Sequence, residues 1–167
     1  MRKNILTLCI TLITIMVAQI TQAEERDMTG RIGFSSNFSS TVDITMPIGV
    51  KQNVVIGPSL SLITITNAGS ELGVGVFLKS YLTNDQISPF ILLRAGAMMA
   101  MPKYSDTVTD WLMGLGTGGD YFLHERFSVG IEVQANLYVA ADGSVRFGTS
   151  NNLIFNTASV ITAAVYF

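Results

Sequence analysis

The sequence predicts an all-β chain folded as an eight-stranded antiparallel up-and-down transmembrane β-barrel. Three observations carry that expectation. Apolar and polar residues alternate with period two over long stretches, and the breaks between those stretches alternate between short and long. Charged residues make up 13% of the chain against 49% hydrophobic. Soluble domains carry about 25% charged residues, so part of this surface is expected to face lipid.

The first 23 residues stand apart. Arg2 and Lys3 open the chain, Ile5 to Val17 is apolar apart from threonines, and Thr21-Gln22-Ala23 precedes the acidic Glu24-Glu25. This is the layout of a secretory signal peptide cleaved after Ala23, and its apolar run is short for a spanning helix. The barrel is therefore expected over 24–167. The one cysteine, Cys9, lies in the leader, so the processed chain has no disulfide, thiolate metal site or cysteine nucleophile. Without Arg2 and Lys3, eight cationic residues face twelve acidic ones, a balance of −4. With no basic block, nucleic acid is not an expected partner.

Eight strands follow in order. The first, 29–36, precedes the loop-like stretch Ser35 to Ser40. The second, 40–49, sets Val42, Ile44, Met46 and Ile48 against Asp43, Thr45 and Pro47. The third, 53–66, alternates more softly from Val54 to Thr64. In the fourth, 71–82, Leu72, Val74, Val76, Leu78, Ser80 and Leu82 oppose Gly73, Gly75, Phe77, Lys79 and Tyr81. The fifth, 88–101, is the most apolar run of the processed chain, yet Pro89 and Arg94 spoil it as a helix. Glycines thin both faces of the sixth, 110–123. The seventh, 126–140, alternates most cleanly: Phe127, Val129, Ile131, Val133, Ala135, Leu137 and Val139 against Ser128, Gly130, Glu132, Gln134, Asn136 and Tyr138. The eighth, 153–167, puts Ile161, Ala163, Val165 and Phe167 on one face and Thr162, Ala164 and Tyr166 on the other. Short breaks at 51–53, 83–86 and 124–126 alternate with longer ones, as transmembrane barrels place tight turns in the periplasm and long loops outside.

The terminal strand ending in Phe167 resembles that of the small outer-membrane barrels of OmpA and OmpX type. So do the turn phrases Tyr81-Leu82-Thr83-Asn84-Asp85 and Asp120 to Ser128, which look like that family's periplasmic turns. The resemblance implies that Ile161, Val165 and Phe167 form the signal read by the barrel-assembly machinery. It also implies outer-membrane localisation among lipids and lipopolysaccharide. In pattern it covers the whole processed chain; in residues, only that strand and those turns.

Closure removes the bare sheet edges that hydrocarbon cannot satisfy, and eight strands leave an interior just wide enough for side chains. The alternation points Arg31, Asp43, Lys79, Arg94, Asp120 and Glu132 inward. Three cations and three anions are expected to form an ion-pair network filling the lumen. Gly114, Gly116 and Gly118 are expected to make room for these long neighbours, since no lysine or helix start follows them as in a phosphate loop. Trp111, Tyr121, Phe127, Phe155 and Phe167 are placed as interfacial anchors.

No catalytic, cofactor or metal site is expected. The sole histidine, His124, falls in a short turn beside Glu125 and Arg126. Three functions stay open: a structural or surface-interaction barrel, a small porin, or a lipid A-modifying enzyme. The first is preferred, with loops 102–110 and 141–152 contacting host, phage or lipopolysaccharide.

Overall fold

Long alternating segments can bury a polar face only by curling round it, and the chain does so. The computed structural model describes residues 26–38, 42–65, 69–104, 106–141, 144 and 153–167. The expected leader, 1–23, lies outside them, as does most of the loop 141–152. All regular structure among the described residues is strand: β1 (Gly33–Phe38), β2 (Val42–Thr45), β3 (Ile48–Lys51), β4 (Val54–Ile65), β5 (Gly69–Tyr81), β6 (Ile87–Pro102), β7 (Val108–His124), β8 (Phe127–Val139) and β9 (Leu153–Tyr166).

Every pairing is antiparallel. Neighbours pair in sequence from β4 to β9, and β1 joins β9 from Gly33↔Tyr166 to Phe38↔Ile161. The ring closes where β2 pairs with β4, Thr45 opposite Ser59. It is an eight-strand barrel with nine strands among the described residues, because the expected second strand is broken in two. Both β2 and β3 lie along β4, with Ile48 opposite Ile56 and bridged to Ile32 on the other side. Pro47 causes the break, since it brings no N–H to the ladder. Its carbonyl still accepts from the Gly33 N–H at 2.8 Å, and Met46 N–H donates to Pro58 at 3.1 Å.

The first strand begins later than 29–36 predicts. Residues 26–29 cross the mouth at the short-turn end instead, and Gly30 to Ile32 run along β3 into β1. Met28 N–H donates to the Gln52 carbonyl at 3.1 Å and Gly30 N–H to that of Gly49 at 2.8 Å. Gly30 has φ of 75°, a left-handed value that suits glycine.

The apolar set faces out along every long strand. Leu62, Ile131 and Phe155 are 62%, 70% and 66% exposed, while the alternate residues Glu132, Gln134 and Asn136 are buried. Inside, at the short-turn end, Met28, Val55, Tyr81, Phe90, Leu92, Phe122, Ala164 and Tyr166 form one core cluster, with Phe77 packed against it. Tyr81 meets Phe90 and Phe122 edge-on at 6.0 and 5.9 Å, and Phe122 stacks on Tyr166 at 6.2 Å.

Candidate functional site

The described lumen carries charge in two tiers. The lower tier centres on Asp120, 2% exposed on β7. It accepts from the Tyr81 hydroxyl at 2.7 Å, from Lys79 at 3.2 Å and from Thr162 at 3.4 Å. Lys79 also lies 3.9 Å from the Phe90 ring centre, a cation–π contact in a desolvated place. A carboxylate with three donors, one of them a cation, meets the conditions under which a buried charge is tolerated.

The upper tier centres on Arg94. Its guanidinium pairs with Asp43 at 3.6 Å and donates to the Gln134 side chain at 2.7 Å. Gln134 passes its own amide N–H to Glu132. Asn136 donates to Gln134 at 3.3 Å and to Asn156 at 3.4 Å. A lumen cavity of about 40 Å³ lies between the tiers, lined by Asp43, Ser59, Lys79, Arg94, Glu132 and Gln134 among others. That is room for a few waters at most.

The six charges singled out in the sequence are thus not one connected set. Lys79 pairs with Asp120 and Arg94 with Asp43, while Glu132 is held by an amide. Arg31 stands at the rim, where it donates to the Glu125 carbonyl at 2.7 Å and meets that side chain at 3.5 Å. The rim position follows from the late start of β1, which leaves Arg31 ahead of the strand.

The short-turn mouth is closed by a residue the alternation could not flag. Arg26 lies 9% exposed, its guanidinium 3.3 Å from the Phe122 ring centre. It donates to the Asp85 carbonyl at 3.0 Å and to Ser88 at 3.1 Å. Burial pulls its pKa down from the ordinary guanidinium value, and the nearby Tyr81, Tyr166 and Asp120 oppose that pull. Nothing in its spacing marks Arg26, because it precedes the first strand.

The glycines expected to make room sit beside large neighbours. A Cβ on Gly114 would lie 2.7 Å from Arg94 Cγ and 2.5 Å from Asn136 Oδ1, and one on Gly116 would lie 3.3 Å from Glu132 Oε1. One on Gly118 would strike the Ile131 carbonyl and approach Phe90 within 2.8 Å. Trp111 and Phe155 are exposed toward the long-loop end, and Tyr121, Phe127 and Phe167 toward the short-turn end. Ile161 and Val165 share the outer face with Phe167. His124 is exposed, its Nδ1 accepting from the Arg126 N–H at 3.3 Å. At the long-loop mouth, buried Asp110 accepts from Ala141 N–H at 3.0 Å and from Ser144 at 2.9 Å.

No family model and no curated protein sequence matches the chain. Two solved structures share its fold. The N-terminal β-barrel domain of Pseudomonas aeruginosa OprF superposes with a TM-score of 0.61 at 9% identity, over 83% of this chain and 98% of that one. Neisserial surface protein A gives 0.55 at 11% identity, over 82% of this chain and 94% of its own. At such identities the likeness is one of fold.

Proposed function

We propose that the chain is a small integral barrel of the bacterial outer membrane, acting as a structural or surface-interaction protein through its long loops. The carrying observation is the inversion of its faces: large apolar side chains cover the outside of a closed ring and ion pairs fill the inside. Water would penalise that outer face, whereas hydrocarbon favours it and requires the closed hydrogen-bonded ring. The fold shared with Neisserial surface protein A fits this reading.

The assignment includes export by the leader and recognition of Ile161, Val165 and Phe167 by the assembly machinery. It includes lipids and lipopolysaccharide as surroundings. The loops 102–110 and 141–152 are the proposed contact surface for host, phage or lipopolysaccharide. The two charge tiers and the Arg26 mouth serve as filling, which favours a plugged barrel over a porin. No catalytic role is assigned.

The test is fractionation followed by gel migration in detergent, with and without boiling. We expect the protein in the outer-membrane fraction and a compact band that shifts on heating. Recovery as a detergent-free soluble monomer would end the proposal. In planar bilayers the folded protein is expected to give no steady conductance, and an ohmic channel would move the reading to a porin.

A further inference from the structure

We propose that the barrel wall is breached on one side, above the β1–β2 hairpin, and that bilayer headgroups with their water descend into the breach. This rests on the transmembrane reading above.

The registers require a low wall. Phe38 pairs with both Val42 and Ile161, so the last described rung of the β1–β2 hairpin lies at the level of Ile161. Strand β9 continues upward from there through eight residues, Val160 to Leu153, still paired with β8. Among the described residues nothing pairs with that stretch on its β1 side. On the other flank β4 runs on past Ser61, the partner of Asp43, to Ile65. Elsewhere round the ring, neighbouring strands end within three residues of one another at this end. The overhang of β9 is therefore a step in the wall, about 26 Å measured along the strand.

The step falls within the apolar belt. Trp111 and Phe155 mark the upper girdle, and the hairpin stops well below them. Backbone N–H and C=O groups along the exposed edge would find no partner in acyl chains. The side chains beside the step are suited to a polar neighbour. Thr157 and Ser159 stand exposed on the outer face of β9, with Ser36 on the outer face of β1. At comparable depth the outward residues are Val133 on the neighbouring β8, Leu115 and Thr117 on β7, Leu93 on β6 and Val76 on β5. Three hydroxyls thus flank the low wall, where the high wall carries Thr117 among hydrocarbon side chains. Inside the step, Asn37 and Asn156 lead to Arg94 and Asp43.

The described start of the long loop, Ala141 and Ser144, is tied to Asp110 on β7, two strands from β9. Headgroups and water satisfy the open edge, and through it the upper charge tier is reached sideways as well as from above.

The test uses S159C and L115C variants of the full protein, spin-labelled and refolded in phosphatidylcholine vesicles. The chain's one cysteine, Cys9 in the expected leader, is replaced by serine in both variants so that only the introduced thiol is labelled. The label at 159 should collide several-fold more often with a water-soluble nickel chelate, relative to oxygen, than the label at 115. Backbone amides at 154–160 should exchange with deuterium well before those at 112–118 of β7. A lipid-facing label at 159 with protected β9 amides would overturn the breach and leave the barrel reading intact. Water-facing labels at both positions would overturn the transmembrane reading itself.

Discussion

Lys79 and Asp120 show how one residue pair can support a whole barrel end. Each is enclosed, and each depends on the other for charge balance, with side-chain exposures of 13% and 2%. Lys79→Met keeps the stem's packing but leaves the carboxylate with only hydroxyl donors from Tyr81 and Thr162. Removing one partner of a buried pair costs about 3–5 kcal/mol. We expect a loss of that order in urea titrations of the barrel refolded in vesicles. Lys79→Met with Asp120→Asn should lose less than the two single changes added, because no buried charge is then left unpaired. Strict additivity would show that the pair does not act as a unit. Arg94 is embedded differently, since Gln134 and Asp43 share its guanidinium.

The long strands β5 to β9 were legible because hydrophobic and polar residues alternate at a fixed period, and each segment spans the belt without a break. Glycines on β7 shape the element as much as its large residues do. Gly118 faces inward against the Ile131 backbone and Phe90, whereas a Cβ on Gly119 would meet nothing within 4 Å. Gly118→Ala should therefore cost roughly 1–3 kcal/mol through overpacking. Gly119→Ala, on the open outer face, should be neutral or slightly stabilising. Equal effects in urea titrations would contradict this division of faces. The same alternation carried no sign of where the first hairpin ends. The pattern Val42, Ile44, Met46, Ile48 runs straight through Pro47, yet the strand breaks there, since periodicity records side chains and not the missing N–H. Arg26 and the 26–29 crossing escaped for a related reason: they bury residues without repeating, and a period cannot describe a plug. The tiering of the charges was equally hidden. Which cation meets which anion depends on the register between strands, and a single strand's alternation is silent about register.

At the scale of the molecule the ring organises solvent by depth. Among the described residues the outer surface is mainly apolar between two aromatic girdles, and charged side chains are confined to the lumen, the mouths and the turns. A charge on the outer face should then cost according to its height. Leu115, 59% exposed midway along β7, and Leu123, 55% exposed near the short turn, are chemically alike and similarly uncovered by protein. In water the two positions would respond alike to substitution. In a bilayer Leu115→Arg should destabilise by about 2–4 kcal/mol and Leu123→Arg by about 0–1 kcal/mol, because only the first forces a guanidinium into the hydrocarbon midplane. Urea titrations of both variants in the same vesicles would measure the difference. A gap of that size requires lipid against the middle of β7, and equal costs would mean that the apolar face is covered by something other than a bilayer.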